Sequence, residues 1–522
     1  MNDDSLIPAT IARRLGLIGL LLLVVAAAAL RSRHLDDPLW IDELHTAWAV
    51  SGDLGDLNPR AAAGNQAPGA FAVNHLVCGL LGVDELTLRL PSYLASLALV
   101  ALVPLLLMRS GAGWTAALLS GLLMVVDHWS VVFACEARPY AQVQLLSVLH
   151  AWCLLGRMRL IGENTETVVR RWRIGWIVTA VLLVMLHYTT LLLILAEMAT
   201  WWIVRRRFQL HDSIAAWLLD NLVVAICCLP LIPQLAIVAG RRANWRQFIE
   251  IPSLLDGLTM LPVAAYLALP LLGVLVARLR RPPGGGSQPV DRRQSAAALT
   301  IGLLVVLPLA AAWLSSRFDL ARLFHPRYVI ATSGLLIMLC GILIGQLQVQ
   351  LAMRLGLLVG SLVVGLGISG QLARTWAISA RQEYWPAALS FLAESDPDAT
   401  LPVFLCAGLI EDQFLRTDPP PPPVAGISIS EFCLFPLSGP YQLANKPPAL
   451  IPLPSFPTLL PAHALHTVRQ AGGGWLIVRG DRLRGQAWIE KLLKHSFRVR
   501  VVEFGRVHLL RFEDEESSAP GK

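Results

Sequence analysis

Apolar runs recur from residue 13 to residue 371, and the short loops between them hold most of the charge in that stretch. The first, RRLGLIGLLLLVVAAAALRSR (13–33), has a basic start, an apolar middle and small residues near its end. That pattern fits a cleaved signal peptide or a retained first helix, and the many runs that follow favour the retained helix. Ten more spans are predicted at about 92–108, 111–126, 139–155, 174–187, 189–204, 214–232, 255–277, 296–315, 327–345 and 355–371, each a length of low charge near that of a bilayer core. Only 31 residues separate Arg173 from Arg205. Basic clusters at both ends of that interval (Arg170, Arg171, Arg173 and Arg205, Arg206, Arg207) predict a hairpin of two short helices with both ends cytoplasmic.

With the N-terminus inside, the cytoplasmic loops hold the basic clusters at 13–14, 157–173, 205–207 and 278–293, while outer loops carry arginine mostly as single residues. RLRRPPGGGSQPVDRR (278–293) reads as a flexible linker. From about Arg374 the pattern changes. YWPAALSFLAESDPD predicts a helix and TLPVFLCAG a strand; a proline run (419–423), GGWLIVRG, a helix QAWIEKLLKH and the near-alternating FRVRVVEFGRVHLLRF follow. The tail EDEESSAPGK has the composition of a disordered segment. The expected fold class is thus a mainly α membrane protein: a polytopic bundle of about eleven transmembrane helices followed by a small α/β domain. The membrane domain takes residues 1–375 with a first outer loop at 31–91, and the α/β domain takes 376–522. An odd number of spans puts that domain on the extracytoplasmic side of the plasma (inner) membrane.

Composition agrees. The chain is 55% hydrophobic and only 15% charged, with mean hydropathy +0.58, against roughly a quarter charged for soluble domains. A net charge of +7 raises nucleic acid as a partner, but the arginines fall in short clusters between apolar runs, a pattern of topology rather than of a binding stripe. The eight cysteines show no metal-ligand spacing, so no zinc site is expected. Cys406 and Cys433 share the outer domain, where a disulfide is chemically allowed.

Three outer-face segments place an arginine close to a proline: RLPSYL (Arg89, Pro91), EARPYA (Arg138, Pro139) and HPRYVI (Pro326, Arg327). Proline suits a first helical turn, and a helix N-terminus beside an arginine favours an anion. Each arginine alone reads as well as a headgroup anchor; three facing one compartment point to a phosphate. LHYTTL sets His187 and Tyr188 at the hairpin turn. Glu197, inside LLLILAEMATWW, sits nearer the cytoplasmic half, where a structural pair is expected. In PLWIDELHTAW (38–48), Asp42 and Glu43 open a short amphipathic helix. Helix neighbours point about 100° apart, so one can face a reaction site while the other caps the helix. An acid opposite arginines suggests group transfer from a lipid-linked phosphate donor, with a carboxylate as general base and cations stabilising the leaving phosphate.

These residues resemble a family, the membrane glycosyltransferases of the C superfold (GT-C), family 39-like, of the protein O-mannosyltransferase and aminoarabinose transferase type. The resemblance rests on IDELHTAW, GNQAPGAFAVNHLVCGLLGVDELTLRLPSYL (64–94), CEARPYAQ (135–142), HYTTLLL (187–193) and HPRYVI (325–330), and covers most of 10–375. It implies inverting transfer of a sugar from a polyprenyl-phosphate donor to a lipid, glycan or protein hydroxyl. By that match Asp42 is the general base and Glu43 assists, while Arg138, Tyr140, His187, Tyr188, Arg327 and Tyr328, with Arg89, line the donor phosphate pocket. The family commonly carries His-Pro-Pro where this chain has NQAP, so Asn65 and Gln66 take the acceptor side. A divalent cation is left open. Rival readings are a flippase for lipid-linked saccharides, which would want a polar path and repeated helices, and an inactive scaffold.

Overall fold

The computed structural model describes residues 9–162, 165–210, 212–242, 246, 249–260, 263–279, 292–347, 356, 359–360, 363, 381–416, 422, 424, 426–455, 466–467, 470–480, 487–488, 490 and 497–514. The predicted span at 355–371, the 278–293 linker, the 419–423 proline run, the 486–495 helix and the acidic tail lie wholly or mostly outside them. The chain divides into two compact units, Met1–Arg33 with Arg89–Ile378, and His34–Leu88 with Ser379–Lys522.

The first unit is helical. Ser333–Gly345 sits at its centre with nearly every residue buried, packed against Arg292–Arg317, Trp114–Val126, Val263–Leu279 and Tyr140–Arg157. Glycine makes this closeness achievable: a Cβ on Gly345 would stand 2.7 Å from the Ala112 backbone, and one on Gly341 2.5 Å from Leu107 and Ser120. Five described helices are long and apolar enough to cross a bilayer: Arg14–His34, Glu85–Arg109, Ile214–Gly240, Arg292–Arg317 and Pro326–Gly345. Trp114–Val126 with His128–Ala134, bent by 58°, makes a sixth if counted as one span.

Eleven spans are therefore not reached among the described residues, and for two of those expected charge is the reason. Glu166–Leu186 begins with three arginines in its first turns, and Leu191–Phe208 carries Glu197 and three terminal arginines, leaving short apolar stretches. The two are separate helices, broken at Tyr188–Thr190 as the arginine spacing predicts. Leu254–Thr259 and Val263–Leu279 are likewise separate helices where one span was expected.

The 58° bend occurs at Asp127, where backbone groups lose their helical partners. Asp127 accepts from Ser130 N at 2.9 Å, and Arg31 donates to the carbonyls of Met124 (2.8 Å) and Val125 (3.1 Å). Both ends of the break are thus satisfied within the protein, as a low-dielectric surrounding requires. Elsewhere in this unit, Arg157 is fully buried between the rings of Trp176 (4.9 Å) and Trp217 (4.4 Å) and pairs with Asp220 at 2.8 Å. Arg173 grips Asp220 with two bonds of 2.9 and 2.8 Å. Glu197 stands 2.7 Å from His150 and accepts from Trp176 at 3.0 Å, so the acid at membrane depth is a structural partner.

The second unit joins the 34–88 segment to the C-terminal segment. Its sheet has the order β2-β1-β3-β5-β4, with β1 (Val403–Cys406), β2 (Leu450–Pro452), β3 (Gly473–Arg479), β4 (Phe497–Phe504) and β5 (Val507–Asp514). β1 pairs in parallel with β2 and β3, while β5 runs antiparallel to β3 and β4. β1, an interior strand between β2 and β3, is buried along its whole length, hence the unbroken apolar run VFLC. Gly505, at φ +62°, makes the β4–β5 turn that the alternating pattern anticipates. Phe404, Leu476, Val478, Leu510, Phe512 and Trp488 fill the core. Cys406 and Cys433 are both buried, and the allowed disulfide between them is not formed.

Candidate functional site

The predicted site residues fall in both units. Asp42, Glu43, Asn65 and Gln66 belong to the unit with the sheet; Arg89, Arg138, Tyr140, His187, Tyr188, Arg327 and Tyr328 belong to the helical unit.

In the first group, Asp42 and Glu43 occupy the second and third positions of the helix Ile41–Val50. Trp40, the residue before it, has no side-chain oxygen to offer as a cap. Glu43 supplies one: its carboxylate is buried and accepts from Trp40 N at 3.3 Å, the reach-back half of a capping box. Asp42 is half-buried. The adjacent acids thus divide as their angular separation requires, with capping assigned to Glu43.

The face of this helix packs on the C-terminal segment. Trp48 stacks on Phe432 at 4.5 Å, and His45 meets the same ring edge-on at 5.2 Å. Trp48 Nε1 donates to Glu431 at 3.3 Å. Asn65 holds a left-handed backbone, φ +58°, which asparagine tolerates better than most residues, and its side chain donates to Glu411 at 2.7 Å. Gln66 donates its backbone N–H to Ala61 O.

In the helical unit, distant segments bring an aromatic and cationic cluster together. Tyr140 opens the helix Tyr140–Arg157, with Pro139 as its N-cap residue and Arg138 just before. His187 ends Glu166–Leu186; its Nδ1 lies 2.7 Å from the Thr189 hydroxyl. Its ring stands 5.7 Å from Tyr140 and 6.0 Å from Tyr328. Arg327 lies over the Tyr140 ring at 5.9 Å, and the charges of both Arg138 and Arg327 act on His187. Arg138 is buried. The Tyr188 hydroxyl is buried and makes no hydrogen bond among the described residues.

Arg89 is buried too, but the proline grammar proposed for it fails. Its helix begins four residues earlier, at Glu85, because Asp84 accepts from Thr87 N at 2.7 Å and caps it there; Pro91 lies inside the helix. Two residues missed by the sequence reading complete the cluster. His325 accepts from Arg327 N at 3.3 Å and its ring is 5.7 Å from Tyr328, while Phe133 packs on Tyr140 at 4.7 Å. The histidine directly before Pro326 was the available signal, since a side chain with an acceptor there caps a proline-started helix. Among the described residues, no group of three or more His, Cys, Asp or Glu side chains is placed to hold a metal ion.

A helical membrane unit joined to a small mixed sheet is a known architecture. The chain is similar in structure to ArnT from Cupriavidus metallidurans in the apo state, with TM-score 0.57 and 13% identity over 97% of this chain and 99% of that one. It is also similar to ArnT from the same organism bound to undecaprenyl phosphate, with TM-score 0.51 and 14% identity over 98% and 100% of the two chains. No protein-family model and no curated protein matches the sequence. The chain therefore has the GT-C fold that its motifs imply, over nearly its full length.

Proposed function

We propose that the protein is a multi-pass membrane glycosyltransferase that moves a sugar from a polyprenyl-phosphate donor to an acceptor hydroxyl on the extracytoplasmic face. The observation that carries this reading is the fold similarity over the whole chain to ArnT, one structure of which holds undecaprenyl phosphate. Asp42 is the general base. It takes the acceptor proton as the hydroxyl oxygen bonds to the anomeric carbon, while the bond from that carbon to the phosphate oxygen breaks and the configuration inverts. The polyprenyl phosphate departs with one more negative charge. Arg138, Arg327 and Arg89 answer that charge, and Tyr140, His187 and Tyr328 build the wall around it. The buried Tyr188 hydroxyl is a donor that a phosphate or sugar oxygen would satisfy.

The test is Asp42→Asn in membranes supplied with a labelled polyprenyl-phosphate sugar. Transfer should fall by about 100-fold or more, the usual scale of a lost general base, with normal expression and donor binding. Full activity removes Asp42 from the mechanism. Donor movement across the bilayer by the wild type, without any transfer, would favour a flippase.

A further inference from the structure

The helix that carries Asp42 is capped from within by Glu43 on the Trp40 N–H, and a second part of the cap comes from more than 300 residues away. Ile41, its first residue, has a backbone N–H that no helical carbonyl can accept. That N–H donates to Glu383 Oε2 at 3.0 Å. Glu383 is buried, and its carboxylate takes two further donors, Arg479 Nε at 2.6 Å and Trp385 Nε1 at 3.2 Å. Its backbone is held as well: Glu383 bridges to Gly505 at the β4–β5 turn, and Gln382 O accepts from Arg506 N at 2.6 Å. A carboxylate at a helix N-terminus also meets the favourable end of the helix dipole. The start of the Asp42 helix is thus referenced to the sheet through one side chain, in the residue directly before Asp42.

We infer that Glu383 is a positioning residue for Asp42: the C-terminal segment supplies the acid that fixes where the base stands. The inference rests on the glycosyltransferase reading and deepens it, giving the sheet-bearing segment a part in the reaction. A loosened base loses rate where the proton moves, in the transition state, while donor affinity stays; kcat should fall with little change in KM.

The experiment compares Glu383→Ala with Arg479→Met in the full-length protein. Each removes the Glu383–Arg479 pair, but only the first removes the acceptor of Ile41 N–H. For Glu383→Ala, kcat should fall about tenfold or more, the effect of one unpaired buried donor, with donor KM within about twofold. Hydrogen exchange at residues 41–44 should quicken by a similar factor, and Arg479→Met should show much smaller changes in both. If Glu383→Ala does not accumulate, Glu383→Met, which fills the space and offers no acceptor to Ile41 N–H, is measured instead, with the same losses expected. Equal losses in the two variants, or a wild-type kcat in Glu383→Ala, overturn the inference. A wild type without transferase activity overturns the function reading itself; exchange then still reports on the cap, and unchanged exchange at residues 41–44 overturns that too.

Discussion

The densest test of the helical unit is Asp220→Ala. Asp220 holds two guanidiniums that differ in one respect: the Arg157 side chain is fully buried, whereas that of Arg173 is 33% exposed. Deleting the carboxylate lets Arg173 turn to solvent or headgroups. Arg157 has no such exit; it stays between Trp176 and Trp217, with Asp212 at the longer distance of 3.9 Å from its Nε. Breaking a buried pair from one side costs about 3–5 kcal/mol, because an uncompensated charge remains. Arg173→Ala leaves the Arg157–Asp220 pair intact and removes only the partly solvated partner, for about 1 kcal/mol or less. Thermal unfolding of the detergent-solubilised protein reads the difference, with tryptophan emission as the signal and Trp176, Trp201 and Trp217 as reporters inside the network. Asp220→Ala should lower the midpoint several times more than Arg173→Ala. Equal shifts would refute the claim that desolvation of Arg157 decides the energetics.

At Asn65, glycine should keep the left-handed backbone and lose only the Glu411 bond, about 1 kcal/mol, whereas valine should add strain of about 1–2 kcal/mol; urea midpoints of the two variants give the order. Burial alone would raise the Asp396 carboxyl, but hydrogen bonds from the Thr400 and Leu401 amides and the Thr400 hydroxyl hold it below the usual aspartate range. Its contribution to stability is therefore complete above about pH 4 and lost as pH falls through the depressed value. Thr400→Val should move that loss to higher pH in acid-unfolding curves. Burial, with Asp412, Glu411 and Cys406 adding, pushes the Cys433 thiol well above its ordinary range. Cys406 and Cys433 should resist maleimide at pH 7 until denaturant is added, and a mass loss of two hydrogens under native conditions would contradict the absence of a disulfide.

Much of this architecture could be read from residue order, where one physical cause acted alone. The 31 residues between two arginine clusters allow no single span of ordinary length, and the helix breaks at Tyr188–Thr190. Glu197 at depth demanded a partner, and His150 is that partner. The CEARPYAQ, HYTT and HPRY motifs also named residues that pack together, Tyr140, His187, Arg327 and Tyr328. The sequence could not reveal features set by competition between neighbours. Pro91 looked like a helix start, but Asp84 captured that role seven residues upstream because its side chain reached Thr87 N. The order Asp42-Glu43 does not say which acid caps; only the bond to Trp40 N does. Glu383 belongs to no motif, since its partners at positions 41 and 479 are brought to it by tertiary structure alone.

The union of residues 34–88 with 379–522 sets a rule for anyone exchanging parts between relatives of this fold. Leu39 N donates to Tyr441, whose hydroxyl in turn donates to Glu85, and Arg381 covers the ring of Trp40. A chimaera that swaps the C-terminal segment by itself would set a foreign surface against those partners. The transplantable module is discontinuous, two stretches nearly three hundred residues apart, and a graft should carry both or neither.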